Sequence, residues 1–178
     1  INQLSTQLTA QDVLQLDLEG SVGDLPLQAQ GRAGNYGALV SGEDIALAAE
    51  VQLADYYLGL EGRLGNLEQL ENFDVKVQLT GPDSLPLYEA LHFSQPDTCP
   101  VDLSASLSDL QAGMGWQLQG QFGSLVVDVT GAMTNPLKFD GLQSTFALSG
   151  DNLHLVASWV DVYTLPEEPF HLRGQVPL

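Results

Sequence analysis

Val77-Gln78-Leu79-Thr80-Gly81 is the stretch on which the fold turns. Apolar and polar side chains alternate, and a glycine takes the third apolar position. A period of two belongs to the β-strand, whose successive side chains point to opposite faces. Strict alternation marks a strand with one apolar face and one wet face. The same figure returns as Leu16-x-Leu18-x-Gly20, Leu58-x-Leu60-x-Gly62, Trp116-x-Leu118-x-Gly120, Val127-x-Val129-x-Gly131, Phe146-x-Leu148-x-Gly150 and Phe170-x-Leu172-x-Gly174. Val101-x-Leu103-x-Ala105 is a near variant. The intervening residues are mostly Gln, Asp, Glu, Thr and Ser, which suit a solvated face. One-sided strands of this kind belong to antiparallel sheets, because parallel sheets are covered on both sides.

The recurring glycine falls where the next large apolar side chain would stand. Two readings are open at this level. A missing side chain permits a bend, a bulge or the close approach of another backbone, or the glycine simply ends its strand.

A repeat underlies the pattern. Moving residues 58–109 forward by 69 positions lays them on 127–178 without a gap, and Gly62, Asn66, Leu79, Gly81, Pro100 and Leu103 meet Gly131, Asn135, Leu148, Gly150, Pro169 and Leu172. Repeats of one-sided sheet share an interior that no single unit could bury. The chain therefore reads as N-terminal strands over 1–57, a first repeat over 58–126 and a shorter second repeat over 127–178. Each repeat is expected to carry one short helix. In the first, Gly81-Pro82-Asp83-Ser84 is the cap signal and Leu85, Tyr88 and Leu91 follow at helical spacing. In the second, Asp151 or Asn152 caps a segment holding Leu153, Val156, Trp159 and Val160.

Nucleophilic, metal and phosphate chemistry all lack a motif. Cys99 sits between Thr98 and Pro100 with no basic neighbour in sequence to lower its pKa. His92, His154 and His171 form neither H-x-x-x-H nor H-E-x-x-H. No calcium loop, Walker loop, dinucleotide fingerprint or G-x-S-x-G elbow is present. Paired carboxylates stay open, since acids are scattered along the chain, but aromatics are only 7%, too few for a typical sugar-hydrolase groove. We expect no enzyme, no cofactor and no metal.

Charge narrows the partners. The 178 residues carry 23 acids against 5 bases, a formal charge of −18, which disfavours nucleic acid and anionic membrane surfaces. Apolar residues reach 44%, enough for a packed interior. A single cysteine rules out an internal disulfide. No apolar run approaches the roughly 20 residues of a spanning helix. Opening at Ile1, the chain reads as part of a longer protein whose membrane anchor would lie outside it.

The apolar side chains of the strands must face something: a second sheet, the inside of a barrel, or the trough of a curled sheet. The inward set comprises Leu58, Leu60, Val77, Leu79, Val101, Leu103, Leu118, Val127, Val129, Phe146, Leu148, Phe170 and Leu172. A filled core and a lipid-lined trough need the same alternation.

The order of motifs resembles the repeat of bacterial AsmA-family proteins. That repeat runs strand, G-x-D-L helix, then an L-P-x-x-P-aromatic-x-L-x-G strand. Here it is echoed by Phe146-x-Leu148-x-Gly150-Asp151-x-Leu153 followed by Leu165-Pro166-x-x-Pro169-Phe170-x-Leu172-x-Gly174. The first copy runs Val77-x-Leu79-x-Gly81-Pro82-Asp83, then Pro96 to Pro100, then Val101-x-Leu103-x-Ala105-x-Leu107. It departs at Ser84-Leu85, where Asp-Leu is expected, and at 95–99, where Leu-Pro would stand. The likeness covers about residues 58–178. It implies a mostly β fold: repeated antiparallel strands in a curled sheet, a taco or half-barrel with an apolar groove, plus two short helices. It further implies a periplasmic segment of an inner-membrane-anchored protein of Gram-negative bacteria. Such a segment would conduct phospholipid or another acyl-chain lipid toward the outer membrane, with an outer-membrane protein as a further partner and no catalytic residues. The rival expectation is a non-catalytic extracellular or periplasmic β-sandwich, an adhesin or binding module with a filled core.

Overall fold

Every alternating stretch becomes a strand of one sheet. The computed structural model describes residues 3–8, 13–22, 25–66, 72–84, 98–110, 113–134, 141–153 and 165–177. The strands are β1 (Gln3–Leu8), β2 (Val13–Val22), β3 (Leu25–Asn35), β4 (Glu43–Leu53), β5 (Tyr56–Asn66) and β6 (Asp74–Gly81). They continue as β7 (Val101–Leu110), β8 (Gly113–Phe122), β9 (Leu125–Met133), β10 (Gln143–Gly150) and β11 (Phe170–Pro177). Each pairs antiparallel with its sequence neighbours, giving the spatial order β1 through β11 without a crossover. β1 and β11 do not pair with one another, so the sheet is curled but unclosed. The curled, mostly β architecture expected from the sequence is the one observed.

Register sorts the side chains. One line across the sheet reads Leu18, Ala29, Val51, Leu58, Leu79, Leu103, Gly120, Val127, Leu148 and Leu172 from β2 to β11. Three residues along each strand, and so on the other face, the line reads Gln15, Arg32, Ala48, Glu61, Lys76, Ser106, Gln117, Thr130, Thr145 and Gln175. A slip of one residue in any pair would exchange these faces, so the pattern itself fixes the register. On the polar face Thr130 and Thr145 hydroxyls bond at 2.7 Å, and the Gln119 amide donates to Asp128 at 3.2 Å. Arg63 meets Asp44 at 3.4 Å with both side chains well exposed, a pair worth little to stability.

The 69-residue repeat extends to the strand boundaries. β5, β6 and β7 begin at 56, 74 and 101, and β9, β10 and β11 begin at 125, 143 and 170, each 69 positions later. The two helices expected after Ser84 and Leu153 fall on 85–97 and 154–164, outside the described residues.

One helix that the alternation did not announce joins β3 to β4: α1 (Tyr36–Ser41). Its signals are local. Asn35 Oδ1 accepts from the Ala38 N–H at 2.7 Å, and Gly42 ends the turn in a left-handed conformation at φ 71°.

The tightest packing lies at the start of β7 and β9. Leu125 and Val127 are 2% and 5% exposed and are surrounded by Phe122, Val129, Leu148 and Phe170. Val101 is equally buried.

Candidate functional site

Leu58, Leu60, Val77, Leu79, Val101, Leu103, Leu118, Val127, Val129, Phe146, Leu148, Phe170 and Leu172 all stand on one face of the sheet. The structure thus brings the whole expected set together. Their burial is graded. Val101 and Val127 are buried, Leu58 and Leu172 are 40% and 41% exposed, and the others lie between. The face also includes Leu14, Leu16 and Leu18 of β2, which the same alternation marks although they lie outside the expected groove set. Leu14 and Leu16 are exposed too. The apolar surface therefore runs across most of the sheet, filled near Leu125 and left exposed on β2, at Leu58 of β5 and on β11.

Aromatic side chains on this face share one arrangement. Tyr56 is the cross-strand partner of Gly81, Trp116 of Gly131, Phe146 of Gly174, and Phe170 of Gly150. At Gly81, Gly131 and Gly174 a Cβ would run into the ring of that partner, and at Gly150 it would press against the ring at 3.1 Å. The ring lies over the bare backbone and covers apolar area that the glycine leaves open, a pairing used to repair glycines in sheets. This is the dominant reason for the recurrent glycine. Gly81 and Gly150 also end their strands, whereas Gly131 and Gly174 lie inside theirs. Gly120 has a different task. Its φ is +150°, and a side chain there would strike the Asp102 carbonyl and Leu103 of β7.

Two of the rings on this face carry a polar group. Among the described residues the Trp116 indole Nε1 is buried with no hydrogen-bond partner. Tyr56 is better served: burial first, then its hydrogen bond to Asp83 and the charges of Asp83 and Asp55, push its phenol from 10.0 up to about 12. The folded state therefore holds this proton more tightly than the unfolded chain. The resulting stabilisation is complete below the ordinary phenol pKa and is lost as pH rises toward about 12. In a spectrophotometric titration, Tyr56→Phe should remove an ionisation step near pH 12. A variant that kept the step would show that the Asp83 contact does not hold the phenol.

Cys99 is half-buried, with its Sγ 3.5 Å from the hydroxyl of the fully buried Ser84. His171 is exposed on the polar phase of β11, and His92 and His154 lie outside the described residues. Among the described residues no three His, Cys, Asp or Glu side chains gather as a metal site.

The opposite face carries what the sequence reading missed. A cavity of about 470 Å³ opens there over β3 to β8, lined by Arg32, Glu50, Tyr57, Glu61, Lys76, Gln78 and neighbouring Ser and Gln side chains. Smaller hollows continue it over β2 to β4 and β7 to β9. The available signal was an aromatic on the polar phase of a strand.

No family model, no curated protein and no solved structure matches this chain, so the reading of both faces rests on their geometry.

Proposed function

We propose that the chain holds and conducts acyl-chain lipid, phospholipid in the first instance, along the apolar face of its sheet, as a periplasmic segment of an inner-membrane-anchored protein of the AsmA type. The observation that carries this reading is the partly uncovered apolar face of an unclosed sheet. Leu14, Leu16, Leu58, Leu172 and Val176 remain 36% to 42% exposed on it. Large apolar side chains left exposed on one face of a sheet mark a surface that takes up something apolar. Each acyl CH2 transferred from water contributes about 0.8 kcal/mol. Side chains of similar size repeated in lines across the strands offer similar sites in series, which transport needs. The polar face, bearing Asp17, Glu50, Glu61 and Asp128, stays hydrated and repels anionic headgroups.

Purified protein should take up a fluorescent fatty-acyl probe. Leu79→Asp and Leu148→Asp place a carboxylate on the apolar face and should each weaken uptake at least tenfold, about 1.4 kcal/mol, with strand content by circular dichroism unchanged. Gln78→Asp, one residue away on the polar face, should leave uptake intact. Well-folded protein that takes up no probe would overturn the proposal in favour of a binding module with a filled core.

A further inference from the structure

The polar face holds a built cleft whose chemistry differs from that of the lipid-facing side. Its floor is low because Ala48 of β4 and Gly59 of β5 stand where long side chains flank them. Gly59 is the residue that shapes it. A Cβ built there would come within 2.9 Å of the Tyr57 hydroxyl and 3.1 Å of its ring. The Tyr57 side chain thus leans along its own strand and covers Gly59, half-buried. Among the described strand residues every other aromatic lies on the apolar phase, so Tyr57 is a ring placed against the pattern of the sheet.

Long polar groups surround that ring. Glu61 is directly opposite Lys76, Glu50 is directly opposite Gly59, and Arg32 and Gln78 complete the rim. Two carboxylates and two cations offset each other, so the cleft is close to neutral on a chain of charge −18. We propose that this cleft binds a neutral oligosaccharide, with one sugar ring seated against Tyr57. The C–H face of a pyranose needs a flat amphipathic ring, and its hydroxyls need donors and acceptors at the ring's edge. The cleft supplies both. A nucleobase would also stack, but its phosphates meet a strongly acidic protein. Neutral charge balance selects against uronic acids and amino sugars alike.

The test is calorimetric titration of the whole chain with cellohexaose, maltohexaose and N-acetyl-chitohexaose in turn. At least one should bind, and Tyr57→Ala should weaken that binding about tenfold, the order of one aromatic contact. Gly59→Val, which forces the ring off the floor, should do the same while Tyr57 remains present. Glu61→Gln should weaken binding less, and acyl-probe uptake should be unaltered in all three variants. The proposal is overturned if none of the three saccharides binds, or if one binds and both Tyr57→Ala and Gly59→Val leave its affinity unchanged. Loss of acyl uptake in the parent chain would strike the lipid reading alone, since the two faces are tested separately.

Discussion

Gly120→Val is expected to lower folding stability by about 4 kcal/mol, taking 1–3 for the strained backbone and a similar amount for overpacking. Gly120 sits at φ +150°, a region open almost only to glycine, and its missing Cβ faces the Asp102 carbonyl and the Leu103 Cα. Both are backbone atoms of the paired strand β7. A flexible side chain could swing aside, but a laddered carbonyl cannot move without breaking its own hydrogen bonds. Gly31 provides the contrast within the same sheet. A Cβ there finds its nearest neighbours at 3.8 and 3.9 Å, ordinary contact, so Gly31→Ala should be neutral or stabilising by up to about 1 kcal/mol. Urea unfolding midpoints of the two variants measure the difference. Equal midpoints would mean that β8 can shift against β7 at no cost.

Leu125→Ala should cost about 3 kcal/mol, the middle of the range for emptying a buried leucine site. Leu125 is 2% exposed, at the centre of the cluster with Phe122, Val127 and Phe170. Its chain neighbour Val126 points to the other face and is 47% exposed, so Val126→Ala should stay within about 0.5 kcal/mol. Adjacent residues on one strand would then differ several-fold in effect. Comparable losses at both positions, by chemical denaturation, would contradict the assignment of faces.

The strands were legible in the sequence because Val77-x-Leu79 and its equivalents obey a period of two, which depends on nothing beyond the local chain. The identical offset of 69 residues between the starts of β5, β6, β7 and β9, β10, β11 was legible for the same reason. Gly131 was not interpretable in this way. Its ring, Trp116, lies on the neighbouring strand, and only the register between β8 and β9 joins the two. α1 was missed because its evidence, Asn35 at one end and Gly42 at the other, is a capping signal within a stretch read for alternation. Tyr57 was passed over because a search for apolar residues on the apolar phase ignores an aromatic on the other.

A sheet whose strands pair only with their neighbours in sequence assembles from local pieces. Most of its hairpins close short connections, and the two long ones, 82–100 and 151–169, still join strands adjacent in sequence, so no distant segment has to be found before pairing begins. The order of assembly can follow the order in which strands leave the ribosome, and β2 can dock on β1 before β11 exists. Shortening such a chain by a strand would leave a narrower ribbon with the same two faces. Length in this architecture is therefore adjustable by duplication, and a reach of any span can be produced from one local rule.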